Sequence, residues 1–222
     1  MLSLFSFGCS VIIKFVVEIK CMDDLCVAFH EAGHVFAHEL FGCEYKCVTI
    51  EEKGKGKVSD GYEGTDAMLD KLILACICFS GGIAEKQQYW FSLERKDFLI
   101  SLDKPDFVDD FYGFLKYDGA GEDVCKYQKI GLHESYRNPL LKFTGKIIAH
   151  NWNVVSIIAN YLAERKRLTA KEVKKLLSDS RLRELGVLKL KYIKELKELR
   201  KKYISERVRC RFPKVLNDRF PL

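Results

Sequence analysis

At 222 residues, 48% of them hydrophobic and 31% charged, the chain reads as a soluble globular protein with one substantial core and room for a small appendage. Its nine cysteines are odd in number and form no repeated C-x-x-C pairs, which excludes a disulfide framework and points to a reducing cytoplasm. The net charge of +6 hides an asymmetry: residues 165–222 hold 20 Lys/Arg against 7 Asp/Glu, a balance of +13, and the remainder holds 17 against 24, a balance of −7.

Residues 1–21 form an apolar N-terminal segment, uncharged from Met1 to Ile13, interrupted by Lys14 and continued by Phe15-Val16-Val17. It lacks the basic start and small-residue cleavage site of a signal peptide, and Lys14 cuts it short of a bilayer span. Val11-Ile12-Ile13 and Phe15-Val16-Val17 suit a buried strand. Met22 is an alternative start, which would leave 1–21 as a non-native extension, and a membrane anchor is the weaker reading.

From Asp24 the apolar residues Leu25, Phe29, Ala32, Phe36 and Leu40 recur at helical steps. Asp23 or Asp24 is placed to cap the start, and Gly42 to end the helix in a left-handed turn. On this helix His30-Glu31-Ala32-Gly33-His34 places two imidazoles one turn apart over one surface patch, where a single tetrahedral zinc ion can take a nitrogen from each. Glu31 lies beside them, placed to take a proton from a metal-activated water; this is the H-E-x-x-H arrangement of zinc peptidases. Gly33 costs about 1 kcal/mol against Ala in a helix interior, so a backbone or substrate passing close by is expected there. His38 stands two turns from His30, roughly 12 Å along the axis, too far to share the ion, and is read as a surface or supporting residue. The third ligand must come from a later segment.

Lys46-Cys47-Val48-Thr49-Ile50 reads as a short strand, and Gly54-Lys55-Gly56-Lys57 with Gly61 as a turn or hairpin loop. No phosphate-loop pattern follows a strand, so the residues carry no recognisable ATPase. Cys43 and Cys47 have no partner pair to complete a second zinc site. The strand after the zinc helix is placed to offer its edge, Val48–Ile50, to an extended substrate. From Asp66 to about Tyr89 runs a buried core helix, in which Gly81 and Gly82 let another helix approach. Glu85 beside them is either a partner for a histidine or the helix's return to solvent. Residues 92–117 read as short helical pieces along one edge of the core. Asp118-Gly119-Ala120-Gly121-Glu122-Asp123-Val124 is a glycine turn followed by acids in a first helical turn, which offers a carboxylate on a rigid element. One amphipathic helix is predicted from Asn138 to about Arg167, then a capping box at Thr169-Ala170-Lys171-Glu172 opening a short helix, then a basic helix through Leu185, Leu188, Tyr192, Leu196, Leu199 and Tyr203.

Four of these motifs, in this order over roughly residues 25–178, resemble the peptidase domain of FtsH-type ATP-dependent zinc proteases. They are His30-Glu31-Ala32-Gly33-His34-Val35, Ser80-Gly81-Gly82-Ile83-Ala84-Glu85, Gly119-Ala120-Gly121-Glu122-Asp123-Val124, and Ile158-Ala159-Asn160-Tyr161-Leu162-Ala163-Glu164 through Leu168-Thr169. The resemblance implies that His30, His34 and Asp123 hold zinc, that Glu31 is the general base, and that Glu85, Gly81 and Gly82 support them. The segment between Glu85 and Gly119 looks longer than in typical members, and these residues include no AAA ATPase domain. Dependence on ATP would then come from a separate AAA ATPase partner, or assembly from a homo-oligomer.

The resulting expectation is a mainly α (α+β) fold, a helical zinc-metallopeptidase domain over 22–178 with a small β element and a basic helical tail over 179–222. Its function would be zinc-dependent endopeptidase action on unfolded or small polypeptide segments. A silent adaptor of the same fold is disfavoured by the intact His30, Glu31, His34 and Asp123. A nucleic-acid binder is disfavoured because the tail's charges spread along a helix without an aromatic platform, the pattern of a solvated face.

Overall fold

The computed structural model describes residues 6–51, 55–60, 67–91, 105–117 and 120–211. They form a mainly helical body with one small antiparallel sheet, as predicted. In chain order the elements are α1 (Ser6–Phe41), β1 (Tyr45–Glu51), β2 (Lys55–Asp60), α2 (Met68–Phe91), α3 (Pro105–Tyr117) and α4 (Gly121–Lys129). A 3-10 turn (Glu134–Tyr136), α5 (Arg137–His150), α6 (Trp152–Arg165), β3 (Arg167–Thr169), α7 (Ala170–Leu176) and α8 (Asp179–Arg211) complete it. No helix among the described residues is long and apolar enough to cross a membrane.

α1 corrects the expectation for the N-terminal segment. The backbone from Ser6 onward is helical, not a strand, and it runs through Asp23 and Asp24 without a cap. No glycine or proline stands between Gly8 and Gly33. Extending an existing helix gains one hydrogen bond for each residue fixed, whereas a strand needs a partner to pair with. Asp24 instead accepts from Lys166 Nζ at 2.9 Å, tying α1 to the turn before β3. Gly42 ends α1 with φ +70°, as predicted, and the Cys43 N–H donates to the His38 carbonyl at 2.9 Å.

Between Ala28 and Leu40 the helix is buried nearly all round, with Ala28, Ala32, Val35, Phe36 and Leu40 inaccessible to solvent. α1 packs against α2 on one side and α6 on the other. Phe29 stacks on Trp152 of α6, their centroids 5.1 Å apart and their planes 8° from parallel. α2 contributes Leu72, Ala75, Cys76, Phe79 and Ile83 to the same core. At the crossing, Gly33 meets the backbone of α2: a Cβ on it would overlap the Ser80 carbonyl oxygen and stand 2.8 Å from the Ala84 Cβ. A backbone passing close is therefore the reason for a glycine in mid-helix.

Two further differences have local causes. The single helix expected over 138–167 is two, α5 and α6, broken at Asn151. Its side-chain amide donates to the Ile147 carbonyl at 2.8 Å, a local bond that competes with helix continuation, and the bend carries Trp152 under Phe29. Lys55-Gly56-Lys57, read as a loop, is strand β2, while residues 52–54 lie outside the described residues. Of the helical pieces expected over 92–117, α3 is described and 92–104 are not among the described residues. Thr169 and Glu172 form the expected capping box. The basic helix α8 packs on the body through Leu185, Tyr192 and Leu196, and Tyr203 lies 4.9 Å from Tyr136, ring to ring.

Gly33→Ala tests the crossing. Urea unfolding followed by circular dichroism is expected to show a loss of about 1–3 kcal/mol, the usual cost of forcing atoms into a packed interface. A change inside experimental error would mean that the two helices do not need that glycine.

Candidate metal centre

His30 and His34 lie on the face of α1 that meets α2, one turn apart, with ring centroids 4.9 Å apart and edge to face. Their Nε2 atoms are 3.1 Å from each other. A single carboxylate oxygen, Asp123 Oδ2, stands 3.0 Å from each of them. Asp123 is brought there by the first turn of α4, where its own N–H and that of Val124 both bond to the Ala120 carbonyl, each at 3.1 Å. Fixing the backbone in that turn fixes the short side chain with it. Among the described residues these three form one group able to hold a metal ion. His38 belongs elsewhere: it is buried rather than on the surface, against the ring of Tyr45.

The outer nitrogens of both rings are held by α2. His34 Nδ1 bonds to the Ile77 carbonyl at 2.8 Å, and that oxygen also accepts from the Ser80 hydroxyl at 2.7 Å. His30 Nδ1 bonds to Glu85 Oε2 at 3.0 Å. A carbonyl or carboxylate oxygen only accepts, so both Nδ1 atoms carry the proton in the neutral ring and both Nε2 atoms present a lone pair. Three acceptors then converge, two ring nitrogens and Asp123 Oδ2. They repel unless a cation sits among them.

In the absence of a metal, a proton has to serve. Burial opposes charge on His30, but hydrogen bonds to Asp123 and Glu85 and the charges of Asp123 and Glu31 outweigh it and push its pKa up to about 10. Burial works to raise Asp123 as well, yet His34 and His30 hold its carboxyl well below the usual range. Two neutral imidazole nitrogens and one carboxylate oxygen are a donor set that suits a divalent cation, so these residues fit the metal the motif implies.

Ile77, Gly81 and Glu85 are spaced by four and therefore share one stripe of α2, opposite His30 and His34, which are also spaced by four. The two glycines face different ways. A Cβ on Gly81 would run into the Nε2 atoms of His34 and His30, whereas one on Gly82 would meet the Leu115 and Ala120 side chains.

Glu31 is 5% exposed and lies under the hairpin, where a Cβ on Gly56 of β2 would overlap its side chain out to Oε1. Burial raises its pKa; the charges of His34, His30 and Lys126 oppose the rise and that of Asp123 adds to it. Lys126 Nζ donates to Asp123 Oδ1 at 3.1 Å, the oxygen turned away from the shared contact with the histidines.

The strand proposed for substrate does not stand where it was expected to help. The sheet order is β2-β1-β3, and Val48 is paired with Val58 on one side and Leu168 on the other. Val48, Thr49 and Ile50 thus form the middle of the sheet with both edges taken, Ile50 N–H by the Lys166 carbonyl at 2.8 Å. The physical cause is β3, a three-residue strand whose Leu168 is buried with Val48; nothing so short shows as a strand in sequence. Sequence reasoning also passed over Ile77, Gly56 and Lys126. The first and last carried a signal, the four-residue step to Gly81 and the three-residue step from Asp123. Gly56 carried none, because its role depends on a hairpin folding over α1.

No protein-family model and no curated protein sequence matches the chain.

Asp123→Asn and Glu85→Gln separate ligand from support. Chelator competition on the purified chain is expected to show Asn at 123 weakening metal binding by far more than the 10- to 100-fold typical of losing a supporting hydrogen bond, and Gln at 85 falling inside about that range. The reverse order would exchange the two roles.

Proposed function

We propose that the chain is a zinc-dependent metalloendopeptidase of the FtsH-type peptidase family, hydrolysing unfolded or small protein segments. The observation that carries this reading is the convergence of His30 Nε2, His34 Nε2 and Asp123 Oδ2 beside a buried glutamate one residue along α1. A zinc ion held by these three would polarise the scissile carbonyl and make water a nucleophile near neutral pH. The chain's own part is to hold the ligands rigidly and to move the proton. α2 fixes both imidazoles through Ile77 and Glu85, and Lys126 holds the far oxygen of Asp123. Glu31 takes the proton from the attacking water and passes it to the leaving amine. Its raised pKa suits the first half of that task, since a more basic carboxylate takes the proton more readily, and once protonated it remains acid enough to pass the proton to an amine.

With β1 enclosed, the outer edge of β2 is the sheet edge nearest Glu31, and an extended substrate would add to it as a further strand. The reducing cytoplasm inferred from cysteine usage belongs to the same proposal, and Cys76, buried in α2 with a thiol pushed up to about 12 by burial, packs there as a small hydrophobe. A separate AAA ATPase or a homo-oligomer would present substrate to the site, and partner capture with this chain as bait tests which.

Glu31→Gln is expected to lower peptide hydrolysis by at least about 10²- to 10⁴-fold with the metal still bound, because the base goes and the ligands stay. Retained turnover, or loss of the metal, would remove Glu31 from this role. A peptide-like inhibitor is expected to pair with Lys55–Asp60, and a structure showing it against another element would overturn the assignment of the β2 edge.

A further inference from the structure

The paired glycines of Ser80-Gly81-Gly82 invite one explanation for both, close approach of helices. Their surroundings separate them. Around Gly82 the neighbours of a hypothetical Cβ are Leu115 Cδ2 at 2.6 Å and the Ala120 Cβ at 2.9 Å, apolar atoms of the elements that lead to Asp123. That is a packing contact. Around Gly81 they are the tips of two side chains, His34 Nε2 and Cε1 and His30 Nε2, the last at 2.8 Å. A Cβ on Gly81 would therefore project into the space between the two nitrogens that point at each other, the space a shared ion needs.

We propose that Gly81 is a positioning residue for the metal, keeping clear the place between His30 and His34, and that Gly82 is not. This rests on the reading of His30, His34 and Asp123 as metal ligands. With both Nδ1 atoms tied to α2, neither ring can swing freely, so an added methyl at position 81 leaves two choices. The rings give just enough to admit the methyl, which then fills the ion's place, or they turn aside, break their bonds to Ile77 and Glu85, and cease to converge. Both end with no site, and neither requires the helices to part, because the colliding atoms are side-chain tips rather than backbone. Gly33, which would strike the Ser80 carbonyl, lacks this escape. The stripe Ile77–Gly81–Glu85 then acts as one device: its outer members aim the imidazoles and its middle member leaves room where they aim. It follows that an intact His30-Glu31-Ala32-Gly33-His34 is not sufficient for a working centre, since a side chain at 81 would silence it with every ligand present.

The test compares Gly81→Ala, Gly82→Ala and the parent as full chains. Zinc affinity is measured by competition with a chromophoric chelator, and Co2+ binding by its visible absorption. Stability is measured by thermal unfolding with chelator present. Gly81→Ala is expected to fold and, without metal, to unfold within a few degrees of the parent, since the helix preference of alanine offsets the displacement of the two rings. Its zinc affinity is expected to fall by more than about 100-fold, beyond the loss of one supporting bond, with the Co2+ absorption of a nitrogen–oxygen site gone. Gly82→Ala is expected to unfold earlier than the parent while its folded fraction keeps zinc affinity within a few-fold. Affinity near the parent's in Gly81→Ala would overturn the role of Gly81 and leave the metal site standing. A metal-free Gly81→Ala protein that does not fold would assign Gly81 to packing and overturn the proposal equally. A parent that binds neither zinc nor Co2+ would bring down the metal reading itself, and the role of Gly81 with it.

Discussion

Everything at the candidate site depends on how closely α1 and α2 cross. Gly33 admits the Ser80 backbone, and that approach brings the Ile77 carbonyl and the Glu85 carboxylate within hydrogen-bond reach of the two rings. A wider crossing would leave both Nδ1 atoms to solvent or to no partner. Each ring could then flip its tautomer, and the Nε2 lone pairs would no longer be forced together. Helix packing and ligand chemistry are thus one constraint: the four-residue step of the histidines meets the four-residue step of Ile77, Gly81 and Glu85.

The second dependence is electrostatic. His30, His34, Asp123 and Glu31 crowd into a region largely shielded from water, which is costly for each carboxylate taken alone. The cost is offset within the group. Asp123 is held ionised by the histidines on one oxygen, its other oxygen accepts from Lys126, and His30 is held between Asp123 and Glu85. A divalent cation would replace the shared proton in this network, so metal binding and stability of the α1–α2–α4 junction are linked. Glu31, covered by the hairpin at Gly56, answers to a different element from its neighbours on either side.

How far the chain could be read from its residues differs by element. The helix carrying His30 and His34 was legible because both periodicity and chemistry repeat within a few residues. Asp123 was legible as a carboxylate in a rigid first turn, and the resemblance singled it out. The helical N-terminal segment was misread because Val- and Ile-rich runs favour strands only when a partner is present, and here the continuing helix supplied its own hydrogen bonds. The break at Asn151 was missed since the amide's bond to Ile147 competes with a helix that the apolar spacing otherwise supports.

By itself the sequence determined the composition of the site: two histidines one turn apart, a glutamate between them, glycines on a buried helix and an acid after a glycine turn. Such choices are local, settled by 3.6-residue periodicity and by what each side chain can donate or accept. Only the tertiary structure decided which atoms meet. That Gly81 faces the imidazoles and Gly82 faces Leu115 follows from the rotation of α2 about its axis, set by packing over the whole helix. That β1 is enclosed follows from Leu168 finding Val48 from far along the chain. Contacts between distant residues are chosen by the burial of the entire core, and no short window of residues contains that sum.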